Sequence, residues 1–222
     1  MAGYPEFGFI DSDGIWAEIV TPPAAGGERP ALFLDRDGVV IEEAGYLHRA
    51  GGVSLIPGAA EVIAEANRAD VPVVVVTNQA GIGLGYYDWP QFAEVQDAIK
   101  RQLDRAGAYL SAVFACPFHA DGRPPYRHGD HPCRKPNPGM LVKAARALDI
   151  DLPRSWLVGD RAIDVGAARN AGCEGAMHVR SGHGVHEAER QGALALASGD
   201  FQVLTGETIR DALRGLPPIA AA

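Results

Sequence analysis

An α/β fold built on a mostly parallel sheet is what this sequence predicts, and three observations carry the prediction. From Ala31 onward, short apolar runs alternate with longer helix-like stretches, the pattern of strands joined by covering helices. The run "VPVVVVT", ending at Thr77, is β-branched almost throughout, as expected of a strand buried on both faces. Acids, a hydroxyl and a lysine follow the successive strand candidates, where sheets of this kind bind ligands.

The elements follow in order. "ALFL" at 31–34 reads as a strand, and "GAAEVIAEANRA" from Gly58 as a helix. After "VPVVVVT" come a helix from about Trp89 to Ala106 and the strand "LSAVFA" from Leu110. An irregular stretch rich in Pro, His and Gly runs from Cys116 to Pro138. A helix near Gly139–Leu148, the strand "SWLVG" from Ser155 and a helix near Ala162–Ala171 follow. "EGAMHV" and "FQVL" are the last strand candidates, with Thr205–Arg214 as a closing helix. Ahead of all these, "FGFIDSDGIWAEIV" from Phe7 has two apolar runs around Asp-Ser-Asp-Gly. That is a β-hairpin signature, with Gly14 supplying a positive φ. A lone hairpin is marginal in water and must pack on something. "TPPAAGGERP" at 21–30 reads as a linker. The expected organisation is therefore a hairpin arm and linker over 1–30, then one domain over 31–222.

Composition narrows the class of function. The chain has 222 residues, 47% of them hydrophobic and 22% charged, enough for one substantial core. A net charge of −8 argues against nucleic-acid and anionic-membrane partners, which an acidic surface repels. Three cysteines make no disulfide framework, and Cys173 in "NAGCEGA" reads as a packing residue. No signal-peptide h-region opens the sequence, so a cytoplasmic protein, as a monomer, is the expectation.

The strand ends point to chemistry. Asp35-Arg36-Asp37-Gly38 follows the first strand of the domain, Thr77-Asn78-Gln79 the second, Arg134-Lys135 the third and its loop, and Asp160 the fourth. Close carboxylates repel unless a cation separates them, and Mg²⁺ is the hard ion that few carboxylates hold. The chemistry that fits is phosphoryl transfer through an aspartyl-phosphate. Asp35 attacks phosphorus, and Asp37 acts as general acid and then base. Mg²⁺, Lys135 and the Thr77 hydroxyl stabilise the phosphoryl oxygens. The first Asp-x-Asp-Gly, at 11–14, has no such set following it and reads as a turn.

"FLDRDGVV", "VVVVTNQAGIG", "CRKPNPGML" and "LVGDRAIDVGAARNAG" resemble the four motifs of haloacid-dehalogenase-superfamily phosphatases. Within them, the resemblance is to the branch of heptose bisphosphate phosphatases and histidinol-phosphatases, and it spans about Ala31 to Gly184. It implies a Rossmann-like three-layer sandwich without a large cap domain. It also implies Mg²⁺ bound by Asp35, the Asp37 backbone carbonyl and Asp160. Thr77 with Asn78 would meet the phosphoryl group, Lys135 would stabilise it and Arg134 would contact substrate, with Gln79 a further substrate-binding candidate. Where family members often have Arg-Gly, this chain has Leu84-Gly85, and "GIGLG" from Gly81 reads as a phosphate-approaching turn.

Cys116, His119, His131 and Cys133, written C-x₂-H-x₁₁-H-x-C, suit a tetrahedral Zn²⁺ that would brace an otherwise loose loop. The family's loop follows C-x-H…C-x-C; here Phe118 precedes His119, His131 replaces a cysteine, and His128 is a competing ligand. The expected activity is removal of a phosphate from a small metabolite, a heptose 1,7-bisphosphate first and histidinol phosphate or another polyol phosphate second. A receiver-type phospho-acceptor domain also uses strand-end acids, Thr and Lys. Its phosphorylated Asp stands alone after a middle strand, and the order here is different. A non-catalytic binder would require Asp37 to turn away from the cleft.

Overall fold

A computed structural model describes residues 8–21 and 27–217. Half of the 21–30 linker and the first residues of the arm lie outside that range. One eight-stranded sheet forms the middle layer, in the order β1-β2-β5-β4-β3-β6-β7-β8. These strands are β1 (Phe9–Ile10), β2 (Trp16–Ile19), β3 (Leu32–Leu34), β4 (Val73–Asn78), β5 (Ala112–Cys116), β6 (Trp156–Gly159), β7 (Gly175–Val179) and β8 (Gln202–Gly206). From β5 to β8 every neighbour is parallel. The hairpin β1–β2 continues the sheet by antiparallel pairing of β2 with β5, Trp16 opposite Ala115.

Residue alternation makes the three layers. Leu32, Leu34, Val73 and Val75 face one hydrophobic cluster, and Phe33, Val74 and Val76 face the other, because successive strand side chains point to opposite faces. On the first face pack α1 (Ala59–Arg68) and α3 (Trp89–Arg105), and on the second α4 (Gly139–Leu148) and α5 (Ala162–Ala171). Asp88 caps α3 by accepting from the Gln91 N–H, and the Gln91 side chain accepts from the Asp88 N–H, a reciprocal arrangement that satisfies two otherwise free donors. The arm is anchored by Trp16, which stacks on Trp89 and meets Phe92 edge-on.

Three short elements differ from the sequence expectation. "GIGLG" begins inside a five-residue helix, α2 (Ala80–Leu84), rather than a turn; Gly85, at φ +78°, then ends it. The helix α6 (Glu187–Leu194) was not signalled, since it buries only Ala193 and has no broad apolar stripe. The closing segment remains a strand through Gly206 and becomes a 3₁₀ turn at Ile209–Asp211 and a short α7 (Ala212–Gly215). There the Asp211 carboxylate accepts from the Glu207 and Thr208 N–H groups, starting the helix late.

The parallel chain order positions the site. From β3 the chain moves outward to β4 and β5, then crosses back to β6 on the other side of β3. The carboxyl ends of β3, β4 and β6 meet at this reversal, where a crevice opens in such sheets.

Candidate active site

Asp35 leaves β3 at that reversal. Its Oδ1 accepts from the Lys135 ammonium at 2.8 Å. Lys135 also donates to the Val76 carbonyl at 2.8 Å and forms an ion pair with Asp164 Oδ1 at 2.7 Å, so one ammonium stands between two buried acids. Asp35, Asp160 and Asp164 are buried, and one ligand atom from each lies within 4.8 Å of the others. Burial, with the neighbouring carboxylates, pushes Asp35 up to about 7 and Asp160 up to about 9, despite the opposing charge of Lys135. Asp160 Oδ2 accepts from the His183 N–H at 2.7 Å, while its buried Oδ1 has no partner. An orphaned carboxylate oxygen beside two further acids is a donor set for a hard divalent cation. The residues fit Mg²⁺.

Gly38 explains why the motif ends as it does. Its φ is +81°, and a Cβ there would lie 2.3 Å from Asp160 Oδ2. Only glycine adopts this backbone without strain and lets the third acid approach.

Asp37 lines the cavity, so it is not turned from the cleft. Arg36 holds its carboxylate from two sides, Nε on Oδ2 at 3.0 Å and Nη2 on Oδ1 at 3.0 Å. Gln79 Nε2 donates to Oδ2 at 2.9 Å and to Thr77 Oγ1 at 2.8 Å. Asn78 is engaged with the Lys135 backbone, donating to its carbonyl at 3.2 Å and accepting from its N–H at 3.1 Å. Arg134 donates to the Phe118 carbonyl at 2.8 Å and keeps further donors toward the cavity it lines. The cavity has a volume of about 370 Å³, and Glu43, Tyr46, His119, Arg161 and His183 also line it.

Asp35, Asp37, Thr77, Asn78, Gln79, Arg134, Lys135 and Asp160 therefore meet in one place, as their strand-end positions predict. Sequence reasoning noted Asp164 beyond Asp160 but gave it no role, although it stands four residues after Asp160 at the start of α5. It also passed over Arg36 as a chemical group, and Tyr87, which carries no local signal.

The loop donors behave differently. Cys116 and Cys133 are buried, and burial pushes their thiols up to about 12 and about 11. The His131 ring stacks on Phe118 at 3.8 Å between centroids, and its Nδ1 accepts from the Cys133 N–H. His119 borders the catalytic cavity, and its Nδ1 accepts from the Asp121 N–H. His128 lies edge-on to His131, 5.3 Å between centroids. Among the described residues, the aspartate trio alone brings three or more ligand atoms within 4.8 Å of one another. Cys116, His119, His131 and Cys133 are not gathered into a tetrahedral set and do not fit zinc as placed. Phe118, one place before His119, packs its ring on the face of His131 and supplies no ligand.

The haloacid dehalogenase-like hydrolase family model matches residues 13–172. The chain belongs to this family. A second model, for HAD-like hydrolases, matches 132–219. D-glycero-beta-D-manno-heptose-1,7-bisphosphate 7-phosphatase of Mesorhizobium japonicum is 44% identical over 163 residues, covering 73% of this chain and 75% of that protein. The D-glycero-D-manno-heptose-1,7-bisphosphate 7-phosphatase of Thermosynechococcus vestitus is 42% identical over 70% of this chain and 81% of its own. Among solved structures, a HAD-like protein of Mesorhizobium loti superposes with a TM-score of 0.81 at 36% identity, covering 95% of both chains. The D,D-heptose 1,7-bisphosphate phosphatase of B. bronchiseptica, complexed with magnesium and phosphate, gives 0.67 at 32% identity over 82% of this chain and 94% of that one. This protein is a phosphatase of the family.

Proposed function

We propose that the protein removes the 7-phosphate of D-glycero-D-manno-heptose 1,7-bisphosphate through an aspartyl-phosphate at Asp35. The observation that carries the mechanism is the pairing of a buried nucleophile with a separately held acid. Asp35 sits in the carboxylate cluster, while Asp37, two residues on, is drawn out of it by Arg36 and Gln79. Two carboxylates in unlike surroundings can take unlike roles.

In the first step an Asp35 oxygen bonds to phosphorus as the bond to the leaving oxygen breaks, and Asp37 gives that oxygen its proton. In the second, Asp37 takes a proton from water as the water oxygen attacks phosphorus, which frees Asp35 and inorganic phosphate. Thr77 donates to a phosphoryl oxygen, and Lys135 braces the ends of β3, β4 and α5 around it. Asp35, the Asp37 carbonyl and Asp160 would hold Mg²⁺, which supplies positive charge against the phosphoryl oxygens.

The substrate assignment rests on the relatives' heptose specificity and on Arg134, whose free donors border the cavity and suit a second anionic group. No zinc step enters, and the Cys116–Cys133 loop shapes the entrance by packing. The reading keeps the 1–30 arm and 31–222 domain as one monomeric, cytoplasmic unit. Among the described residues no helix is long and apolar enough to cross a membrane. The test is phosphate release with Mg²⁺ from a panel of heptose 1,7-bisphosphate, histidinol phosphate and common sugar phosphates, with Asp35→Asn as control. A marked preference for the heptose ester, lost in the control, is expected; equal turnover across the panel would reject the substrate.

A further inference from the structure

Gln79 was expected to touch substrate, yet its side chain has nothing left to offer one. The residue is 3% exposed. Its Nε2 gives one hydrogen to Asp37 Oδ2 and the other to Thr77 Oγ1. Its Oε1 accepts from Arg36 Nη2 at 3.1 Å and from the Tyr87 hydroxyl. All four positions of the amide are filled. Nor can the amide be turned over, because Arg36 has no acceptor to meet an N–H and an ionised Asp37 has no donor to meet an oxygen.

We propose that Gln79 is a positioning residue that orients the Asp37 carboxylate and the Thr77 hydroxyl together. The idea rests on the aspartyl-phosphate reading above and adds a single device that aims two of its groups. By donating to Thr77 Oγ1, Gln79 makes that hydroxyl an acceptor toward the protein and leaves its own hydrogen to point at a phosphoryl oxygen. By donating to Asp37 Oδ2, which also receives Arg36 Nε, it loads one oxygen with two donors. Oδ1, which receives only Arg36 Nη2 at 3.0 Å, is the oxygen left to carry a proton to the leaving group.

The frame behind the amide is rigid. Arg36 is 1% exposed, lies over the Phe92 ring at 5.3 Å and reaches Gln96 at 3.4 Å. Burial raises the Tyr87 phenol well above its ordinary value, which keeps it a donor to Gln79. The Gln79 backbone is fixed as well, its N–H donating to the Cys116 carbonyl at 2.7 Å. With all four positions of its amide filled, Gln79 is held by this buried network in one geometry.

The experiment compares two leaving groups. An aryl phosphate such as 4-nitrophenyl phosphate loses its leaving oxygen without protonation, so kcat/KM for it does not require Asp37; an alkyl phosphate requires the proton. Gln79→Met keeps the side-chain length and removes the amide, whereas Tyr87→Phe removes one hydrogen bond from behind it. For Gln79→Met, kcat/KM on the best alkyl phosphate of the panel should fall about a hundredfold. On the aryl ester it should fall about tenfold, the share due to Thr77. Tyr87→Phe should move the ratio the same way by about twofold and decides the matter alone if Gln79→Met does not fold. An equal fall on both esters, or a change confined to KM, would overturn the proposal, the latter making Gln79 a substrate contact. Unmodified protein and Asp35→Asn run alongside. If the unmodified protein turns over neither ester, the catalytic reading fails and this inference with it. If it turns over both and the ratio does not move in the variants, only the inference fails.

Discussion

The chain contains Asp-x-Asp-Gly twice, and each copy has a lysine. At 11–14 the Asp11 carboxylate accepts from the Asp13 and Ile15 N–H groups, closing its own turn, and Lys143 pairs with both Asp11 and Asp13. At 35–38 the lysine is Lys135, which bonds Asp35 and Asp164 in the interior. Gly14 and Gly38 both have positive φ. The difference lies in surroundings. The Asp13 side chain is 54% exposed and its pKa is lowered by the hydrogen bond and charge of Lys143; Asp35 is buried and raised to about 7. Backbone N–H groups and one ammonium satisfy the first copy, with Asp13 open to solvent, while the second keeps acids crowded around an orphaned oxygen. A motif becomes a site when the fold denies it easy neutralisation.

The sharpest break in this comparison is the exchange of one carboxylate in each copy. Asp35→Asn should lower phosphate release by at least about a thousandfold, and Asp11→Asn should leave it within about twofold. A colorimetric phosphate assay on both proteins decides it, and comparable losses would erase the distinction. The lysines come next. Lys135→Met strands two buried carboxylates and should cost about 3 kcal/mol in chemical denaturation, along with most of the activity. Lys143→Met should cost about 1 kcal/mol or less and spare turnover.

The glycines sharpen the contrast further. Gly14→Ala meets a left-handed backbone and the Phe118 ring at 3.2 Å, for about 1 kcal/mol of strain. Gly38→Ala adds a clash with Asp160 and should weaken the Mg²⁺ dependence of stability, read as the shift in Tm between EDTA and Mg²⁺.

The smallest effect is on pH dependence. With folded values near 7 and 9, above the ordinary 3.8, Asp35 and Asp160 bind protons more tightly in the folded chain than in the unfolded one. Their contribution to stability is therefore greatest in acid and falls as pH rises from about 4 through 7 and toward 9. Mg²⁺ favours the ionised forms, so the Tm difference between Mg²⁺ and EDTA should grow from pH 5 to pH 9. A difference constant with pH would mean that these acids are not the ones that meet the ion.

Most of the fold was legible because apolar runs bounded by turn residues leave little choice of strand. Residues such as Val73–Val76 cannot be exposed, which leaves a strand buried on both faces as the reading. The helix α6 was hidden because few of its residues are buried, and the end of the chain because one carboxylate, Asp211, sets where coil becomes helix. Site residues at strand ends could be read because the sheet brings those ends together. Tyr87 and the bonding of Gln79 could not, since nothing local says which side chain meets an amide across a buried space. The zinc expectation shows the limit from the other side. Spacing placed four donors along the chain, yet it does not say whether the fold gathers them, and among the described residues they form no cluster of three ligand atoms.

The hairpin also bears on how the protein is made. Its Trp16 pairs opposite Ala115, about a hundred residues later, so the arm must wait until about half of the 222 residues have been made. During that interval β5 is unmade, and the arm's apolar strand has no sheet to join, a delay that invites pairing with other chains. Once β5 forms, the wait ends and the risk passes to β5 itself. Every residue of Ala112–Cys116 is buried, and without β2 its row of backbone donors and acceptors would be an open apolar edge. A hairpin made early in this sequence thus closes the edge of a strand that appears about a hundred residues later.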